Sequence, residues 1–245
     1  LLASTLLVVP LYGFSRDLFG RGPARIATAL ACFWPWLADY GSRVGPDALG
    51  CTLWFLAIWM LARCLRRGGW FCAAAPLAFF ALHLTRAEGT ILLAATAGGA
   101  LILCAGPDWK RLARYAPFVA GCAALLALSS LYMRSLVGEA TVNYRVGIIL
   151  VDLEIGPMVS TAMKLTFEVL PIMLGPVAML FFGVGMFSRD DTGRERDFRL
   201  EAYTLYFAAV QLASSAFVLS AQPRYLMSVI VALSLWNARG MLIVG

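Results

Sequence analysis

The sequence predicts an all-α fold, a polytopic transmembrane helix bundle of about nine spans, and three observations predict it. Of 245 residues, 61% are hydrophobic and 14% charged, against about 45–50% apolar and about 25% charged in soluble domains; mean hydropathy is +0.79. Charge-free stretches recur along the chain, several matching the roughly 17–25 residues that a helix needs to cross about 30 Å of hydrocarbon. Basic residues alternate between rich and poor connections, as positive-inside topology requires.

The first block, Leu1 to Ser15, is apolar from its first residue and starts without Met, so it reads as the surviving end of a helix. It lacks a basic n-region and a cleavage site, which argues against a signal peptide. The chain is therefore expected to be a fragment, one transmembrane domain, 1–245, whose first helix is partial. Ile26 to Ala38 follows and reaches spanning length by snorkelling of its polar flanks. Ala48 to Ala62, Gly68 to Thr85, Gly89 to Pro107 and Tyr115 to Met133 are the next spans. Arg134 to Glu168 is too apolar for a free loop and too charged for a span, and reads as an interfacial or re-entrant cover. Val169 to Ser188, Ala202 to Pro223 and Tyr225 to Ala238 complete the set.

Arg16, Arg21 and Arg25, then Arg63, Arg66 and Arg67, then Lys110, Arg111 and Arg114, then Arg189, Arg194, Arg196 and Arg199 make thirteen of the twenty basic residues. Their connections are assigned to the cytoplasm. The net charge of +6 and pI near 9.2 express this asymmetry and attraction to anionic membrane lipid, and imply no nucleic-acid partner.

On the opposite side, charges are few, and each needs a reason. Asp39 and Asp47 flank the first such connection; Asp47 suits the start of the following helix, where a carboxylate meets free N–H groups, and equally suits a divalent cation or an acceptor hydroxyl. Thr85-Arg86-Ala87-Glu88-Gly89 interrupts two apolar runs. Arg86 is either a snorkelling residue or a phosphate ligand, since guanidinium matches phosphate oxygens and stays charged. Glu88 lies beside it and His83 one helical turn before it, the histidine a second donor or a satisfied helix residue. Gln222-Pro223-Arg224-Tyr225 opens the last helix with an interfacial Arg-Tyr pair that is a belt anchor or a second phosphate donor.

Cys32, Cys51, Cys64, Cys72, Cys104 and Cys122 form no CxxC pair and read as small core residues. A single histidine argues against a histidine-based zinc site. Gly183-Val184-Gly185 lacks the strand and third glycine of a dinucleotide fingerprint and reads as helix packing.

Leu18-Phe19-Gly20 with Ala24 and Ile26-Ala27, Trp34-Pro35, Pro46-Asp47-Ala48-Leu49, Leu84-Thr85-Arg86-Ala87-Glu88-Gly89 and Pro223-Arg224-Tyr225-Leu226 occur in an order that resembles the GT-C membrane glycosyltransferases. The likeness is to the family 39 type, the dolichyl-phosphate-mannose protein mannosyltransferases and aminoarabinose transferases. It implies a GT-C-like bundle that takes a sugar from a polyprenyl-phosphate donor and passes it to a hydroxyl of a protein, lipid or glycan. The reaction would occur on the non-cytoplasmic face of the plasma (inner) membrane or endoplasmic reticulum. In this family the main catalytic Asp lies in the first outer loop, which would precede Leu1, so the chain by itself is expected to be inactive. The resemblance matches Asp47 to a second acidic residue of the active face, Arg86 to a basic residue after a later helix, and Arg224-Tyr225 to the Arg-Tyr that opens a late helix. The roles expected are a supporting metal or acceptor role for Asp47, with a divalent metal as the one cofactor considered, and the donor phosphate for Arg86, Arg224 and Tyr225 with His83, while Asp39 and Glu88 are secondary candidates. The competing readings are a transporter or flippase for an anionic lipid or small solute, which the lack of an inverted repeat disfavours, and a non-catalytic membrane subunit. An Asp or Asp-Glu pair upstream of Leu1, behind a further apolar span, is what the enzyme reading expects; a Met directly before Leu1 would count against it.

Overall fold

A computed structural model describes residues 5–35, 39, 47–85, 99, 102, 109–137, 155–188, 197–217 and 226–245. Among the described residues all regular structure is helical: α1 (Val8–Phe19), α2 (Arg21–Phe33), α3 (Asp47–Arg67), α4 (Phe71–Thr85), α5 (Trp109–Val137), α6 (Ile155–Lys164), a π-helical turn (Leu165–Val169), α7 (Leu170–Leu174), α8 (Pro176–Phe187), α9 (Phe198–Phe217) and α10 (Met227–Val244). This is the expected all-α membrane bundle: in hydrocarbon a helix satisfies its own backbone polar groups. Phe33 is 86% exposed, and Leu77, Leu128, Ile172 and Leu180 also stand outward, as apolar side chains do where lipid replaces water.

Among the described residues four segments, Asp47–Arg67, Leu112–Tyr132, Gly156–Leu174 and Met227–Val244, are long and apolar enough to cross a membrane, with α4 and α8 as shorter apolar helices, fewer than the nine spans expected of the whole chain. Of the stretch 89–107, only Gly99 and Ile102 are among the described residues, both in helical conformation. The interfacial reading of 134–168 is corrected at both ends. α5 runs on to Val137, and from Ile155 the chain is helical through the π turn to Leu174. Lys164 and Glu168 hid this helix, yet its apolar flanks keep the window hydrophobic despite them. The single span Val169 to Ser188 is in turn divided, because Gly175 turns with φ 76 and Pro176 starts a new helix.

Local chemistry explains the boundaries. α2 stops where Trp34 takes an extended conformation, φ −71 and ψ 118, the geometry that a following Pro35 imposes. α3 and α4 form a hairpin over Gly68 and Gly69, at φ 68 and 65, a left-handed turn that a side chain would strain. Above that turn, Phe207 of α9 meets Trp54 of α3 at 5.1 Å and Phe79 of α4 at 5.6 Å, and Phe79 meets Phe118 of α5 at 5.3 Å. One aromatic layer thus joins four helices at the ring separations such pairs favour.

The central element is α10, in which every residue from Met227 to Gly240 is buried. Its closest partner is α8. A Cβ on Gly185 would overlap the Trp236 carbonyl, and one on Gly240 the Phe181 carbonyl, so the two backbones touch. That is the small-residue packing expected of Gly183-Val184-Gly185, and Gly185 carries it; a Cβ on Gly183 would meet nothing within 4 Å. In lipid, where burial of apolar surface drives little association, such close contact holds helices together.

At one end of the bundle the basic connections converge. The Asp17 carboxylate accepts from Trp59 Nε1 at 2.9 Å and Arg63 Nε at 3.0 Å. Arg66 donates to the Asp17 carbonyl at 2.6 Å and to the Asp197 carboxylate at 2.9 Å. Asp197 accepts in turn from the Leu200 N–H, an N-cap for α9. Arg114 of α5 donates to the carbonyls of Leu65 and Arg66, both at 2.9 Å, capping the C-terminus of α3. Asp17 lies beyond the apolar block that ends at Ser15. Burial alone would raise its pKa, but the bonds from Trp59 and Arg63 and the charges of Arg63 and Arg16 outweigh that and hold it below its ordinary value.

Two outcomes follow. Gly240→Val should force α8 and α10 apart and cost on the order of 1–3 kcal/mol, the usual range for overpacking, read as a lower thermal midpoint in detergent. Asp17→Asn should cost roughly 2 kcal/mol at neutral pH, the loss of charge-assisted hydrogen bonds. Because the folded pKa is depressed, the Asp17 contribution is present above the ordinary carboxylate value of 3.8 and fades as pH falls through the lower folded value. The wild-type midpoint should therefore drop on acidification more steeply than that of the variant.

Candidate functional site

The opposite end of the bundle follows from helix direction. α2 leaves the basic end just after Asp17, and α3 returns to it at Arg63 and Arg66, so Asp39 and Asp47, which lie between them, belong to the far end. α4 runs back from the glycine turn, which carries His83 and Thr85 to the same end. With 21 residues in α3 and 15 in α4, and about 1.5 Å of rise per residue, Asp47 stands roughly 9 Å further from the turn than Thr85. The two helices thus bring the carboxylate and the imidazole to one end of the bundle at different heights.

Each group sits where its helix favours it. Asp47 is in the first turn of α3, half-buried, beside the positive end of the helix dipole. His83 is in the last turn of α4, half-buried, with the Phe80 ring at 6.1 Å. The Thr85 hydroxyl donates to the Leu82 carbonyl at 2.8 Å and closes the helix. The carbonyl end of α4 favours a cation directly after it, and Arg86 is the next residue. Asp39 is exposed. Arg86, Glu88, Arg224 and Tyr225 lie outside the described residues.

Among the described residues no three His, Cys, Asp or Glu side chains come together as a metal-holding group. Asp47 offers one carboxylate, and a hard divalent cation takes six or more oxygens; its other ligands would have to come from elsewhere.

Sequence reasoning passed over several polar groups in the interior. Glu201, one turn into α9, is buried and accepts from Trp236 Nε1 at 3.2 Å. Arg239, near the end of α10, is buried over the Phe19 ring and donates to the carbonyls of Gly185 and Ser188 at 3.0 and 3.1 Å. Arg239 therefore caps the end of α8 with its charge among carbonyls, at the level where α1 ends. Asp17, a lone acid between Arg16 and Arg21, was the one available signal, whereas Asp197 and Glu201 stand among Asp190, Asp191 and Glu195; which arginine or tryptophan each meets is set by helix packing.

The cysteines divide. Cys51 and Cys122 are buried small residues, as expected, and Cys32 is exposed. Cys64 and Cys72 are corrected, because they form a disulfide across the glycine turn. Their spacing of eight residues matches no recognisable pattern and becomes a contact only when Gly68 and Gly69 reverse the chain. Cys104 lies outside the described residues.

No curated protein and no solved structure matches the chain. A family model described as dolichyl-phosphate-mannose-protein mannosyltransferase matches residues 1–133. The matched segment holds Asp39, Asp47, His83, Arg86 and Glu88 and stops before Arg224 and Tyr225. It covers more than half of the 245 residues, and the chain belongs to the dolichyl-phosphate-mannose-protein mannosyltransferase family, one of membrane glycosyltransferases.

Proposed function

We propose that the full-length protein takes a sugar from a polyprenyl-phosphate donor and transfers it to an acceptor hydroxyl at the bundle end that holds Asp47 and His83. The observation that carries this reading is the segregation of charge. Arg63, Arg66 and Arg114 of the basic connections are gathered and hydrogen-bonded at one end, while Asp39, Asp47 and His83 lie at the other. Positive-inside topology assigns the clustered end to the cytoplasm, and so the transfer site to the outer face of a plasma (inner) or endoplasmic reticulum membrane.

In this proposal Arg86 and Arg224, with Tyr225 and His83, hold the donor phosphate. Negative charge on that phosphate grows as the glycosidic bond breaks, so fixed cations there stabilise the transition state more than the ground state. Asp47 orients the acceptor hydroxyl or a divalent cation beside it. The group that takes the hydroxyl proton, a step worth about 10² to 10⁴ in rate, is assigned to the chain upstream of Leu1. Asp39 and Glu88 have secondary roles at the same face.

Arg86→Ala in the full-length protein should lower sugar transfer from a radiolabelled polyprenyl-phosphate sugar by about 10² or more, the scale on which removal of one charge-stabilising group acts. Its elution in detergent gel filtration should match wild type, and Arg86→Lys should keep part of the activity. Unchanged turnover in a folded Arg86→Ala protein would remove Arg86 from the site.

A further inference from the structure

We propose that Cys64 and Cys72 form a reversible, redox-responsive cross-link at the cytoplasmic turn between α3 and α4. The inference rests on the orientation proposed above and is independent of the transfer chemistry. The two Cα atoms are 4.7 Å apart, within bridging range, and the turn between them is fixed by bonds from Gly68 N–H to the Cys64 carbonyl at 2.8 Å and from Cys72 N–H to the Gly69 carbonyl at 3.1 Å. The bond therefore sits among Arg63, Arg66, Arg67 and Arg114, the residues that assign this end to the cytoplasm. Glutathione and thioredoxin keep thiols reduced there, and cytosolic disulfides are typically transient or redox-sensing. A permanent structural bond is the wrong expectation for that address.

The surroundings suit exchange. Cys64 is buried and Cys72 is half-exposed, so one sulfur is open to attack. Cys72 lies in the first turn of α4, where the positive end of the helix dipole favours a thiolate. The Arg63 guanidinium sits 5.6 Å from the ring of Phe71, the residue before it. The thiolate of a dithiol reductant of the thioredoxin class attacks Cys72 Sγ; the Cys64 sulfur leaves as thiolate and takes a proton. The second thiol of the reductant, as thiolate, then attacks the mixed disulfide, Cys72 leaves with its electron pair and is protonated, and the reductant ends as its own disulfide. Exchange with glutathione disulfide runs the pair back. In the reduced state the turn loses its covalent tie, and α3 and α4 are the helices that carry Asp47 and His83 at their far ends.

The test uses full-length wild-type protein in sealed vesicles of both orientations, treated from outside with reduced thioredoxin, then denatured and tagged with maleimide-polyethylene glycol. Inside-out vesicles should gain two tags per chain and lose them again after glutathione disulfide, and right-side-out vesicles should gain none. A Cys64→Ser/Cys72→Ser double variant should show no such gain. The thermal midpoint in detergent should fall on reduction in wild type and stay fixed in the variant. No gain from either side overturns the exchange itself; a gain only from right-side-out vesicles overturns the orientation and makes the bond an ordinary extracytoplasmic disulfide. Two thiols that stay free under glutathione disulfide also overturn the proposal.

Discussion

The Asp17 carboxylate is the point on which the relative heights of the helices depend. It sits at the end of α1 and takes two donors from α3, while its own backbone carbonyl receives Arg66, which extends to the residue that caps α9. Arg114 adds α5 to the same level. Helices in lipid can slide along one another at small cost, because one apolar surface is much like the next. Polar contacts with fixed geometry remove that freedom. With the ends levelled, the Trp54, Phe79, Phe118 and Phe207 rings meet in one layer, and Asp47 and His83 emerge at a common end.

That arrangement explains why the two ends of the bundle differ in character. At the clustered end Asp17, Arg63, Arg66, Arg114 and Asp197 are joined by hydrogen bonds, and even Arg239 spends its charge on carbonyls inside the bundle. At the other end the helix termini themselves set the field: N–H groups of α3 beside Asp47, carbonyls of α4 below His83.

Much of this was legible in the sequence. Apolar runs gave the helices, proline and glycine gave several of their ends, and the arginine alternation paired the connections into two groups that the helix directions reproduce. Reading Gly185 as a packing residue needed only its spacing. Two kinds of information were not there. Lys164 and Glu168 obscured a helix because local charge outweighed flanking hydropathy in a residue-by-residue reading, and the break at Gly175 depends on a backbone angle that composition does not reveal. Partner choice was likewise hidden: Asp17 with Trp59 and Arg63, Glu201 with Trp236, and Cys64 with Cys72 are contacts that tertiary packing or a turn creates. Of the site, Asp39, Asp47 and His83 are placed at one end of the bundle; Arg86, Glu88, Arg224 and Tyr225 lie outside the described residues.

The burial of α10 has a consequence for biosynthesis. Its neighbours α1 and α2 are complete by Phe33, whereas α10 begins at Met227, so almost two hundred residues are translated while they wait for the helix that fills the space between them and α8. During that interval the faces of Phe19 and the α2 alanines, and in its last part that of Gly185, are open to lipid or to insertion machinery, and a nascent chain of this kind stays vulnerable to quality control until nearly the last of the described residues has left the ribosome. Substitutions in α10 would then appear first as low yield in the membrane rather than as altered catalysis.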